Sequence, residues 1–167
     1  MKLPFKDPDY DLNLNMGVVL IIISLLGKTK RNKLTLNNER LHIYLCLIKN
    51  PFILNQVIKF SNGKHINLRE ETLYSITSIA PNFDSLFDNE LLKSLLITLI
   101  SQKLISVNYK KKQGFFYTST KVGQIITEKF SQEYFADIKQ YCIGMNSLQS
   151  KNTSQLNIFV NKAIKVK

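Results

Sequence analysis

The stretch SQKLISVNYKKKQGFFYTSTKVGQII, Ser101–Ile126, decides the fold class. A helix closes at Lys103. Two short strands follow, Ile105–Tyr109 and Phe115–Thr118, joined by the tip Lys110-Lys111-Lys112-Gln113-Gly114. Ile105, Val107 and Tyr109 alternate with Ser106 and Asn108, the period-two pattern of a half-buried strand. Gly114 can take the positive φ that a hairpin loop needs. Another helix starts after Ser119, with Ser or Thr available as its cap. Helix, hairpin and helix in this order read as the end of a winged helix-turn-helix.

Working outward, Asp88 caps the helix that leads into the hairpin, and Leu92, Leu95, Leu96 and Leu99 line its inner face. Beyond the hairpin, Thr120–Phe130 is helical, with Val122, Ile125, Ile126 and Phe130 on one side. Two more helices are expected: Gln132–Leu148, carrying Phe135, Ile138, Cys142 and Met145, and Gln155–Ile164, carrying Leu156, Phe159, Val160 and Ala163. The polar run Ser147–Ser154 is the loop between them.

Toward the N-terminus, Asn67 and Glu70 have the spacing of a capping box for a helix over Leu68–Ala80, which Pro81 ends. Asp84–Phe87 makes one short turn. Asn37–Lys49 is a helix whose Leu41, Tyr44, Leu45 and Ile48 form one buried face. Asn50 and Pro51 suit the N-cap and first position of the next helix, which carries Phe52, Ile53, Val57 and Phe60 and stops at Asn62-Gly63. Met16–Leu26 is the most apolar run, with length favouring a buried helix over a strand. Lys28-Thr29-Lys30-Arg31-Asn32-Lys33 is a basic connector, and 1–15 an irregular arm. The chain is therefore expected to be mainly α with a small β-hairpin: a winged helix-turn-helix core with flanking helices. The arm covers 1–15, the core with its preceding helices 16–131, and the C-terminal helices 132–167.

At 167 residues and 44% hydrophobic content the chain can bury a core of its own. Its 23 Lys and Arg against 12 Asp and Glu give a net charge of +11, which suits a polyanion or an acidic protein surface. Cys46 and Cys142 have no spacing pattern, so neither a disulfide framework nor a zinc site is expected, and a reduced, cytoplasmic setting follows. Met16–Leu26 is too short to cross a membrane. Three acids precede it and Gly27-Lys28-Thr29-Lys30 follows, which is not a signal peptide's pattern. Covering so apolar a run is a burden for a chain this small, so an exposed apolar patch for a partner is expected.

A catalytic constellation does not emerge. Gly27-Lys28-Thr29 imitates the end of a phosphate-binding loop, but the motif's first glycine is replaced by Ile22 and a connector stands where its helix should begin. His42 and His65 are isolated, and His42 with Cys46 one turn on makes only two ligands. Asp84 and Asp88 are better explained as helix caps. The reading is a non-enzyme with no cofactor and no metal. Eight cations are candidates for nucleic acid or an acidic partner: Lys28, Lys30, Arg31 and Lys33 in the connector, Lys93 on the helix before the hairpin, and Lys110, Lys111 and Lys112 at the tip. Lysines at a tip contact phosphate without reading sequence. Base readout would fall to Glu90, Lys93, Ser94, Ile97, Thr98 and Ser101, a face with no arginine and a single cation set against an acid.

The order of elements also carries a resemblance. An apolar helix and connector precede KLTLNNERLHIYLCLIKNP (Lys33–Pro51), and the winged unit holds LISQKLI (Leu99–Ile105) and YTSTKVG (Tyr117–Gly123). Over roughly residues 16–130 this resembles the middle component of bacterial ABC three-component systems, the group that includes the Lamassu defence systems. The resemblance implies an adaptor subunit bound to an SMC-like or Rad50-like ATPase and to an effector, often a nuclease, acting against phage or plasmids. The catalytic sites would then lie on the other chains, and non-specific DNA contact would fall to this one. The alternatives are a free-standing winged-helix DNA-binding transcriptional regulator, for which the two C-terminal helices would supply a dimer contact, and a basic RNA-binding or ribosome-associated protein.

Overall fold

The apolar run becomes the axis of the molecule. Helix α1 (Leu12–Leu26) buries Val18 through Ile23 and Leu26 at 2% exposure or less, so it is enclosed on nearly every side, as a helix apolar all round must be. It starts earlier than 16 because the Asp11 carboxylate accepts from the amides of Asn13 and Leu14 at 2.9 and 3.1 Å. The computed structural model describes residues 11–73, 83 and 88–165. The arm up to residue 10, most of the helix expected over Leu68–Ala80 with Pro81, and the turn over Asp84–Phe87 lie outside the described residues.

Around α1 stand α2 (Asn38–Lys49), α5 (Asn89–Ser101), α6 (Lys121–Lys129), α7 (Glu133–Gly144) and the second strand of the hairpin. The expected face of α2 is buried, and so are its other sides, including His42, Ile43, Cys46 and Leu47. At its end, Asn50 serves the preceding helix, not the next one. Its amide donates to the Cys46 carbonyl at 2.9 Å, and it makes no cap bond to α3 (Pro51–Phe60), which relies on Pro51. Just beyond the end of α3, Asn62 takes φ 60° and the Gly63 amide returns to the Ile58 carbonyl at 2.9 Å. A short α4 (Glu70–Leu73) starts at Glu70, later than the capping-box pattern implied, and Arg69 beside it pairs with Glu133 and Asp137 of α7.

The hairpin is β1 (Ile105–Lys110) and β2 (Gly114–Ser119), antiparallel in the register Ile105↔Ser119, Val107↔Tyr117 and Tyr109↔Phe115. Gly114 takes φ 81° and Lys112 takes 74°. Among the described residues this is the one sheet, so the protein is mainly helical with a small hairpin. α7 runs on into a 3-10 turn at Met145–Leu148, and α8 (Thr153–Lys165) lies against α3 and α2. Phe135, Ile138, Cys142, Met145, Leu156, Val160 and Ala163 all enter the same core as α1, while Tyr134, Ile143 and Ile158 on the outer faces of these helices stay exposed. No single described helix is long and apolar enough to cross a membrane, and α2 and α3 together are bent by 118° at their junction.

Two sequence expectations are corrected. α6 does not turn Val122 and Ile125 inward, since both are 52% exposed. It buries Gly123 and Thr127, because small residues allow it to close onto α1 and the Leu104 turn: the Thr127 hydroxyl meets that of Ser24 at 3.0 Å. In β1 the alternation marks one face correctly, but only Ile105 on it is buried, while Val107 is 40% and Tyr109 66% exposed. The hairpin projects, and the core reaches only its base. The apolar run 16–26, in turn, is covered by the rest of the chain. Exposed apolar side chains lie on α5, α6 and the hairpin, and also at Leu12 and Leu25 of α1, Tyr134 and Ile143 of α7 and Ile158 of α8.

Candidate functional site

α5 is set by its cap and its leucines. The Asp88 carboxylate accepts from the Leu91 amide at 2.8 Å, and Leu92, Leu95, Leu96 and Leu99 hold the inner face in the core. The outer face carries the residues that would meet DNA in a sequence reader. Two of its three hydroxyls are occupied: Thr98 donates to the Ser94 carbonyl at 2.9 Å and Ser101 to the Thr98 carbonyl at 2.8 Å. Ile97 is 57% exposed and Ile100 is exposed too, beside Lys93 and Glu90. Between α5, α2 and β2 runs a groove of about 430 Å³, floored by Leu92, Leu96, Ile97, Ile100 and Tyr117. Asn38, His42 and Asn89 connect it to a second hollow of about 650 Å³ against α8. The floor is apolar, and the edges carry the amides of Asn38 and Asn89, His42 and the charged pair Glu90 and Lys93, a surface suited to a protein segment and poor for base edges.

Tyr117 ties the hairpin to this groove. Its hydroxyl donates to the Asn38 side chain at 2.7 Å, and its amide donates to the Leu36 carbonyl at 2.9 Å. Burial raises its phenol above the ordinary range, so it stays a neutral donor. At the far end the three lysines are not equivalent. Lys110 is half-buried with its ammonium 5.3 Å from the centre of the Phe116 ring, whereas Lys111 and Lys112 are exposed in the turn. From Leu91 to Thr127 the chain carries lysines at 93, 103, 110, 111, 112 and 121 and no acid.

The connector is a tight loop closed by the Lys28–Leu34 bridge. The Thr29 hydroxyl accepts from the amides of Arg31 and Lys33, and Asn32 takes φ 58°, so Lys28, Lys30, Arg31 and Lys33 all face outward. The loop's base is held from an unexpected direction. Arg40 of α2 is 8% exposed and donates to the carbonyls of Leu148 at 3.0 Å and Lys151 at 2.6 Å, with Thr35 further off at 3.4 Å. It has no acidic partner among the described residues. Sequence reasoning passed over Arg40, although a cation in the first turn of an otherwise apolar helix opposes the helix dipole and so signals a partner elsewhere.

Among the described residues no three His, Cys, Asp or Glu side chains stand where they could share a metal ion. Cys142 is fully buried, and burial pushes its thiol far above the ordinary range, which makes it a poor nucleophile. His42 lines the groove and His65 is exposed far from it in sequence. What the chain presents is surface: an apolar groove, a projecting cationic hairpin and a cationic loop.

Those are the features of a small accessory subunit, and comparison with known families places it. The chain belongs to the ABC-three component (ABC-3C) system Middle Component 4 family, whose model matches residues 26–158. The match reaches through α7 into α8, well past residue 130, while nearly all of α1 precedes it. No curated protein and no solved structure matches the chain. A middle component of a three-component system has partner subunits.

Proposed function

We propose that this chain is a non-catalytic winged-helix adaptor, with residues 16–131 as the winged core and 132–167 packed onto it. It would bridge an SMC-like or Rad50-like ATPase and an effector nuclease in a cytoplasmic complex of the Lamassu kind directed against phage or plasmids. The observation that carries this reading is the groove beside α5. Where a regulator would present donors to base edges, this helix presents Ile97 and Ile100 to an apolar trough. The test is coexpression with the products of the neighbouring genes, followed by size exclusion. Ile97→Asp with Ile100→Asp should abolish co-elution with at least one partner, because a charge buried at an interface without a counter-ion costs several kcal/mol. Since both positions are exposed, the melting temperature should stay within about 2 °C. Full assembly of the double variant would refute the groove as the contact.

DNA contact by the hairpin would be non-specific. In competition among unrelated duplexes at physiological salt, preferences should be at most a few-fold, against the 10³-fold or more typical of operator binding. Glutamate at Lys110, Lys111 and Lys112 should lower affinity for all of them equally. One duplex preferred a hundredfold would promote the regulator in place of the adaptor.

The connector supplies a separate expectation. Alanine at Lys28, Lys30, Arg31 and Lys33 removes four outward charges from a loop held by backbone bonds, so folding should be unaffected. Affinity for DNA or for an acidic subunit should fall, and the wild-type affinity should itself weaken with added salt. Normal binding by the quadruple variant would reduce the loop to a solvated turn.

A further inference from the structure

The projecting end of the hairpin carries more than charge. Tyr109 and Phe115 are cross-strand partners on one face, their ring centres 5.3 Å apart and tilted by 52°. They are 66% and 54% exposed, with Val107 beside them at 40%. Two aromatic rings on a solvent-facing strand pair are costly to leave wet, and a protein core or an aromatic partner normally covers them. What surrounds them decides which. Lys111 and Lys112 occupy the adjoining turn, and the nearest acid in sequence on either side is Glu90 or Glu128. Ser106, Asn108 and Thr118 lie on its other face and bind one another: Ser106 meets Thr118 at 2.9 Å, and the Asn108 amide meets the Thr118 hydroxyl at 3.3 Å. The aromatic face therefore offers rings and nearby cations, with the Tyr109 hydroxyl as the polar group of its ring pair.

We infer that the hairpin tip is a binding platform for single-stranded DNA, with Tyr109 and Phe115 stacking on unpaired bases while Lys111 and Lys112 meet the flanking phosphates. Stacking on every base, with no edge readout, gives binding that is indifferent to sequence but selective for unpaired strands. A duplex hides its base faces inside the helix and offers only phosphates. The same tip thus holds duplex DNA through its lysines alone and a single strand through lysines and rings together. This inference is independent of the groove on α5 and of the adaptor reading. A failure here leaves that groove's test untouched.

The experiment uses the full chain and three labelled probes at physiological salt: an oligothymidylate of about 12 nucleotides, a duplex of equal length, and the matching oligouridylate. Anisotropy should show the single strand bound more tightly than the duplex. Tyr109→Ala with Phe115→Ala should weaken the single strand roughly ten- to hundredfold and the duplex less than about twofold. Lys111→Ala with Lys112→Ala should weaken both by a similar factor. Because the chain has no tryptophan, Tyr109→Trp installs a lone indole at the platform. Its emission should be quenched by the oligothymidylate along the same titration curve and left unchanged by the duplex. That variant keeps a stacking ring and remains informative even if the double alanine chain folds poorly. The inference is overturned if the alanine pair leaves single-strand affinity unchanged, if it weakens both DNAs equally, or if the indole is not quenched. An oligouridylate bound more than about tenfold tighter than the DNA would overturn the assignment to DNA.

Discussion

Gly123→Ala should destabilise the protein by about 3 kcal/mol, although alanine is the better helix former by about 1 kcal/mol. The reason is the approach of α6 to the turn between α5 and β1. A Cβ placed on Gly123 would lie 2.1 Å from the Leu104 carbonyl oxygen and 3.3 Å from a methyl carbon of Leu20. The carbonyl has little freedom to retreat. It accepts from the Thr120 amide at 3.0 Å and from the Thr120 hydroxyl at 3.1 Å, and the Leu104 amide is held by the Leu99 carbonyl at 3.0 Å. Lys103, just before it, already takes φ 58°. The added methyl must therefore push α6 away and pull Thr120, the N-cap of α6, off its partners. For a domain of this size the melting temperature should fall by roughly 6–12 °C. Val122→Ala, one residue earlier and 52% exposed, should change stability by less than about 0.5 kcal/mol. Because propensity and clash have opposite signs at Gly123, chemical denaturation of the two variants separates them. A Gly123→Ala chain as stable as wild type would mean that α6 does not approach so closely.

That glycine marks where sequence reading reaches its limit. The elements themselves were legible, because each is written in local chemistry. Asp88 and Thr120 cap the helices they precede, Gly114 turns the hairpin, and the leucines at 92, 95, 96 and 99 face inward. The facing of α6 was not legible. Four bulky residues were expected on one side, but the helix sits so near α1 that Gly123 and Thr127 are its buried residues; Ile126 and Phe130 pack partly against the core, while Val122 and Ile125 turn out. Packing distance is a property of two elements together, and the sequence of one does not carry it. The hairpin makes the same point along its length. Alternation assigns Val107 and Tyr109 to the face that Ile105 and Tyr117 bury at the base, and that assignment holds in the register. How far along a strand the core extends depends on the neighbours, so Tyr109 and Phe115 emerge as surface. Of the candidate cations, seven of the eight are exposed as composition implied, and Lys110 is withdrawn by its contact with Phe116. The groove on α5 was foreshadowed by Ile97 among the outward residues. Its shape needed α2 and Tyr117, which come from either side of α5 in the sequence.

Arg40→Met should cost about 3–4 kcal/mol, the other large effect expected in this molecule. Methionine keeps most of the apolar stem, so the change isolates the guanidinium. In the folded chain that group sits 5.8 Å from the centre of the Tyr44 ring and reaches across to the turn after the 3-10 segment, where it closes the Leu148 and Lys151 carbonyls. Those carbonyls lie more than 100 residues from Arg40 in sequence, so the bonds join α2 to the C-terminal helices. Hydrogen bonds from a charged donor contribute roughly 1.5–3 kcal/mol each, and oxygens left buried without a donor add to the loss. Arg40→Lys should recover only part of it, since one ammonium cannot spread over both carbonyls as the planar fork does. The partners are backbone carbonyls, which carry no ionisable proton, so the difference between wild type and Arg40→Met should stay constant across the pH range in which carboxylates and histidines change charge. An exposed ion pair would behave otherwise, weakening as its acid is protonated and as salt is added. Urea denaturation of the three chains at acidic and neutral pH, with and without added salt, measures this directly. A gap that closes at acidic pH would reveal a carboxylate partner for Arg40. A loss under about 1 kcal/mol would mean that water satisfies the two carbonyls once the guanidinium is gone.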